Sequence, residues 1–203
     1  MVQKETSKRG RPRAYDPDKA LTDAMALFWE HGYSATSLDA LSAVTGMNRP
    51  SLYAAFGDKK ALYLKALATY HERALAGMDW AFSAPGLRES LERCFALALK
   101  LHLSGDGAQR GCLLVGTAAV ESVHDPEIRA ALARTIADYD ARIEARLRLA
   151  RDQGELSEKA DPAGLAGLVA AAVYSSAVRA RAGDRRENME ATDRLIVDLV
   201  CAQ

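Results

Sequence analysis

The chain has 203 residues, 49% of them apolar, enough to bury a full core as one large or two small domains. Its three widely spaced cysteines form no metal or disulfide pattern and its polar N-terminus lacks an apolar signal segment, so a cytoplasmic location is expected. The net charge is zero, which on its face argues against a nucleic-acid partner, yet residues 1–60 carry nine Lys/Arg against seven Asp/Glu while residues 61–203 carry eighteen against twenty.

The excess positive charge lies at the start, where Lys4, Lys8, Arg9, Arg11 and Arg13 are opposed only by Glu5. After this arm everything reads as helix, an all-α chain with nothing resembling a strand. Asp16-Pro17, Asp125-Pro126 and Asp161-Pro162 each place a capping acid before a proline at the first helical position, and each predicts a helix start. Helices are expected near 17 to 32, 37 to 45, 49 to 55, 59 to 82, 86 to 103, 112 to 123, 126 to 153, 162 to 182 and 187 to 201, nine in all. Within 126 to 153, Ile128, Leu132, Ile136, Tyr139, Ile143, Leu147 and Ala150 step by four or three along one stripe, and Gly154 ends it. Ser104 to Gly111, with three glycines, is the clearest loop. The longest uncharged run, Pro162 to Val178, is shorter than a usual membrane span and reads as buried helix, so no membrane partner is expected.

Residues Thr36 to Lys60 carry the most information. The first helix opens at Thr36 or Ser37, with Asp39 placed to close a capping box and Leu38, Leu41 and Val44 on one face. Gly46 breaks it. Asn48 suits the N-cap of a second helix, and Pro50 is tolerated in a first turn whose N–H groups have no intrahelical partner. Leu52 and Phe56 face inward, which leaves Asn48, Arg49, Ser51 and Tyr53 outside, a set able to bond base edges and phosphates. This is the layout of a helix-turn-helix. The ordered string Phe28, Gly32, Tyr33, Thr36, Leu41, Gly46, Leu52, Tyr53, Phe56, Lys59 and Leu62 resembles the TetR family of transcriptional repressors over roughly the first third of the chain. The resemblance implies a flexible arm at 1–13, a DNA-binding domain at 14–60, and a helical effector-binding and dimerisation domain at 61–203.

Chemistry then assigns roles in the head. Arg49 suits bidentate contact with guanine, and Asn48 and Ser51 suit base edges or phosphates. Thr36 or Ser37, at a helix N-terminus, suits a phosphate. Tyr53 and Lys59 match family positions that touch backbone phosphate; Lys59 and Lys60 in a first helical turn are easier to explain with phosphate nearby. Met47 and Pro50 sit where they could touch thymine methyls. Arg9, Arg11 and Arg13 lie in an Arg-Gly-Arg-Pro context similar to an AT-hook, whose arginines enter a narrow minor groove; the plain alternative is a solvated tail.

One recognition helix covers few base pairs, so a homodimer on a double-stranded operator is expected. The last two helices are the expected interface, with Leu165, Leu168, Val169, Val173, Leu195, Ile196 and Leu199 supplying apolar area beside Gly164, Gly167 and Ala171; ordinary intramolecular core is the alternative. The middle helices would hold a small-molecule effector, with Phe95, His102, Cys112, Val115, Tyr139 and Tyr174 as expected liners. Cys112 follows a glycine loop and begins a helix, where the dipole would lower its thiol pKa. Its Gly-Cys-Leu setting resembles a subset of these repressors that sense electrophiles or oxidants; a small buried hydrophobe is the alternative. Cys94 reads as core. Glu121 and His124 form half of a di-iron ligand set with no second copy. Neither a phosphate loop nor a nucleophile elbow is present, so no enzyme activity and no cofactor are expected. The reading is a ligand-responsive repressor, with a helical ligand-binding or adaptor dimer lacking specific DNA binding as its rival.

Overall fold

In the computed structural model, which describes residues 16–105 and 109–203, all three Asp-Pro pairs start helices. The Asp16 carboxylate accepts the Asp18 N–H at 3.0 Å, Asp125 that of Glu127 at 2.9 Å, and Asp161 that of Ala163 at 3.2 Å. Each proline then occupies a position where no N–H is needed. The helices are α1 (Pro17–His31), α2 (Leu38–Thr45), α3 (Arg49–Phe56), α4 (Lys59–Phe82), α5 (Leu87–His102), α6 (Ala119–Glu121), α7 (Pro126–Asp152), α8 (Pro162–Arg181) and α9 (Arg186–Cys201). Among the described residues there is no strand. Arg9, Arg11 and Arg13 lie outside the described residues.

One element differs from expectation. Where a helix over 112 to 123 is predicted, a π-helical turn at Leu114–Ala118 runs directly into the short α6. Thr117 Oγ1 donates to the Leu113 carbonyl at 2.6 Å while standing 2.6 Å from the Tyr63 hydroxyl, so a side chain bonds into the backbone ladder. The Arg181 guanidinium passes over Gly116, where an ideal Cβ would stand 2.5 Å from Nη1. Widened turns of this kind are rare and cluster at functional sites.

Two cores follow. In the first, Phe28 of α1, Leu41 of α2, Leu52 and Phe56 of α3 and Leu62 and Tyr63 of α4 pack together with Leu113 and Ala118. A boundary at 60/61 therefore falls inside the first turn of α4, and the head shares its core with the π-helical segment. In the second, Leu91 and Phe95 of α5, Leu147 of α7, Val169 of α8 and Val197 of α9 interlock. Each fully buried leucine there contributes about 1.5–3 kcal/mol of burial free energy. By length and composition α8 could cross a membrane, but it packs against α5, α7 and α9 with Val169, Ala177 and Ala180 buried.

Candidate functional site

The head is built by its caps. Ser37 Oγ accepts the Ala40 N–H at 3.1 Å to open α2, Gly46 turns the chain at φ 67°, and Asn48 Oδ1 accepts the Ser51 N–H at 2.9 Å to open α3. With Ser37 as the N-cap, Asp39 falls one position short of closing a capping box. It pairs instead with Arg49, Nη2 to Oδ1 at 2.7 Å. Leu52 and Phe56 are buried inside; Asn48, Arg49, Pro50 and Tyr53 are exposed and Ser51 half-buried.

Three expectations for the head are corrected. Thr36 is buried and its hydroxyl donates to the Gly32 carbonyl at 2.6 Å, closing the end of α1 rather than facing phosphate. Met47 is also buried, because the left-handed turn at Gly46 directs the next side chain into the apolar space of the head. Ser37 thus remains as the exposed hydroxyl at this helix start. Lys60 is accounted for by carboxylates at the start of α7, 2.5 Å from Glu127 and 3.5 Å from Asp125. Lys59 stands 4.4 Å from the Tyr33 ring centroid, and partial burial lowers its pKa.

The head is bonded to the rest of the molecule through main-chain carbonyls. The Trp29 indole N–H donates to the carbonyls of Arg110 and Gly111 at 3.1 and 3.2 Å. From the end of α8, Arg181 reaches the carbonyls of Trp29, Glu30 and Arg110, each at 3.4 Å. Ser34 donates to Glu121 at 2.7 Å, which gives this carboxylate a place in the link. Sequence patterns do not disclose Trp29 and Arg181; the one available sign is that a buried indole N–H needs a partner.

Immediately beyond Gly111 lies a cavity of about 230 Å³, with Tyr70, Cys94, His102, Cys112, Tyr139 and Tyr174 in its wall. Four of the six expected liners are therefore brought together. Phe95 is not among them: it fills the second core and faces a cleft between α5 and α9. Val115, on the π-helical turn, packs against the first core. Cys94, expected as core, is buried yet lines the cavity. Cys112 is also buried; burial pushes its thiol pKa up, outweighing the Tyr70 hydroxyl that donates to Sγ at 3.3 Å and the N–H groups of Val115 and Leu114. The expected lowering by a helix dipole is thus reversed. Burial also holds His102 neutral, its pKa pushed down to about 4, with Nδ1 2.8 Å from Ser176 Oγ.

On α8 and α9, Leu168, Leu195 and Leu199 are exposed, as are Gly164, Gly167 and Ala171. Leu165, Val173 and Ile196 are partly buried against the second core. Val169 is fully buried within it and is corrected from interface to core, because the roughly 100° turn from Leu168 to the next residue of α8 carries it onto the inward face.

A capped two-helix reading head with an exposed outer face, carried by a helical body with a mainly apolar cavity, defines a DNA-binding transcriptional regulator of helix-turn-helix type. A profile of bacterial regulatory proteins of the tetR family matches residues 20–66, and a tetracyclin repressor-like C-terminal domain matches residues 89–196. The chain is 30% identical over 183 residues to the HTH-type transcriptional repressor ComR of Escherichia coli, covering 89% of this chain and 87% of that one. It is 34% identical over 155 residues to the HTH-type transcriptional repressor BdcR of Escherichia coli, covering 70% and 75%. Among solved structures, a cysteine mutant of the TetR family regulator CifR complexed with 26-bp double-strand operator DNA matches with TM-score 0.85 and 32% identity, over 93% of this chain and 98% of that one. The chain belongs to the TetR family of transcriptional regulators.

Proposed function

We propose that the protein is a homodimeric cytoplasmic repressor, released from a palindromic operator when a small molecule, or a thiol-reactive compound acting at Cys112, occupies the cavity. The observation that carries this reading is the outer face of α3, where Arg49 and Tyr53 are exposed and Asn48 engages only its carbonyl oxygen, leaving its NH2 donors for a base edge or phosphate. Ser37, Pro50, Ser51 and Lys59 flank that face. The similarity to ComR and BdcR, both repressors by name, and to CifR on operator DNA supports the same role.

Dimerisation through Leu168, Leu195 and Leu199 would set the separation of two recognition helices and so the half-site spacing. The cavity wall adjoins Gly111, whose carbonyl holds Trp29 at the base of the head, so a guest that prefers a displaced wall also prefers a displaced head. Only that differential preference shifts the population away from the operator-binding spacing.

The test is selection of genomic DNA by the purified protein at one stated salt concentration, with Arg49→Ala alongside. An enriched palindrome that disappears in the variant is expected; no enrichment by a folded dimer would favour the adaptor reading. Deleting residues 1–13 should weaken binding and lower its salt slope, by roughly 0.9 for each phosphate the arm no longer neutralises.

A further inference from the structure

The geometry points to an uncharged, mainly apolar effector carrying one carbonyl-type oxygen, which the hydroxyls of Tyr139 and Tyr174 hold inside the cavity. This rests on reading the cavity as the effector site.

Charge sets the first limit. No carboxylate lines the cavity among the described residues, so a cationic guest meets no counter-ion in the wall itself; the Asp140 carboxyl acts on Tyr174 from outside that lining, and burial raises its pKa. Among the described residues the one lining side chain with a fixed charge is Arg73, which is exposed and donates outward to Thr22 Oγ1 at 3.1 Å. His102, held neutral by burial, offers no charge to an anion. Most of the remaining wall is aliphatic or aromatic, including Met78, Leu97, Leu101 and Ile143.

Unmet hydrogen bonds set the second. The Tyr70 hydroxyl is spent on Cys112 and the His102 Nδ1 on Ser176. The hydroxyls of Tyr139 and Tyr174 are enclosed and have no partner among the described residues. Burial pushes both phenol pKa values up, Tyr174 to about 12, so both remain neutral donors. Both residues line the same cavity, as Cys112 does. A buried donor without an acceptor is costly, and a guest that brings the acceptor recovers that cost. A carbonyl oxygen has two lone pairs and no proton, so one such atom matches two donors. At about 230 Å³ the cavity lies below the ~300 Å³ at which pockets for drug-sized molecules begin, which favours a compact guest.

The experiment is calorimetric titration of the full-length protein with three compact probes of one skeleton: acetophenone, ethylbenzene and benzoate. Acetophenone is unreactive toward thiols, so cysteine chemistry plays no part. Acetophenone should bind about tenfold or more tightly than ethylbenzene, the ratio expected for one well-made buried hydrogen bond, and more tightly than benzoate. In Tyr139→Phe/Tyr174→Phe the ratio of acetophenone to ethylbenzene should fall toward one while ethylbenzene binding persists. The empty double variant should melt no lower than the wild type, because it loses two unpartnered hydroxyls; a purely structural role for the tyrosines predicts a lower melting point. No acetophenone binding, equal binding of acetophenone and ethylbenzene, tightest binding of benzoate, or an unchanged ratio in the double variant would each overturn the assignment. These titrations contain no DNA, so they stand or fall apart from the release reading, which a parallel gel shift with an enriched operator tests.

Discussion

Gly111 joins the head, α8 and the cavity, and replacing it with alanine should unfold the molecule early. Its φ of 64° lies in the left-handed region, where a side chain costs about 1–2 kcal/mol. An added Cβ would also stand 2.6 Å from the Ala177 carbonyl oxygen, backbone of a packed helix that cannot swing aside. Relieving that clash adds about 2 kcal/mol of strain, so Gly111→Ala should cost about 3–4 kcal/mol. For a chain of this size that is a fall in melting temperature of roughly 6–16 °C. Gly183 supplies the internal control: its φ is 81° and nothing lies within 4 Å of its added Cβ. Gly183→Ala should therefore lose only the backbone part, about 1–2 kcal/mol. Thermal unfolding followed by circular dichroism at matched protein concentration reads both. If Gly111→Ala melts no lower than Gly183→Ala, the close approach of α8 to this turn is refuted.

Arg49→Ala should weaken operator binding by about 1–3 kcal/mol per head, whereas Asp39→Ala, which frees Arg49 from its 2.7 Å ion pair, should leave binding unchanged or tighten it; gel shifts at fixed salt compare the two. His102 makes stability fall on acidification: below about pH 6.5 the unfolded chain takes up a proton that the folded one refuses until about pH 4, a loss of about 3 kcal/mol across that window. Asp193 acts with the opposite sign, since burial raises its pKa to about 6 and the folded state binds the proton first, so its contribution grows as pH falls below 6. Denaturant titrations from pH 7 to pH 4 should show a shallower decline for His102→Asn than for the wild type. Leu195→Glu, at a side chain 57% exposed, should yield a folded 21.9 kDa monomer by sedimentation and abolish tight operator binding; a persisting dimer would refute the α8 and α9 interface.

What the sequence reveals follows the range of the interactions involved. The helix starts at Asp16, Asp125 and Asp161 depend on neighbours within a few residues, and so do the Ser37 and Asn48 caps. Those are readable. The inner face of α3 is readable too, because Leu52 and Phe56 repeat at helical spacing. Thr36 and Met47 mislead because their residue types suit both a surface contact and a buried plug, and only the turn geometry at Gly46 and the end of α1 decides between them. The reach of Arg181 to Trp29 spans 152 positions, and no local pattern carries it. Cys112 shows the same limit in its chemistry: the helix start visible in the sequence predicts a lowered thiol pKa, while the enclosing aromatic wall, assembled from α4, α7 and α8, raises it.

Helix α8 is crowded with duties. Ala170, Val173 and Tyr174 wall the cavity, Val169 anchors the core, Leu168 is exposed on the proposed dimer face, and Arg181 grips the head. Nearly every turn of it is therefore committed to something other than choosing the guest. Helix α5 is less constrained at two positions, since Leu97 and Ala98 face the same cavity without packing on the head, whereas Leu101 beside them also packs against the first core. With the cavity as the proposed effector site, engineering toward a new inducer should proceed through Leu97 and Ala98, which contact neither the head nor the proposed dimer face.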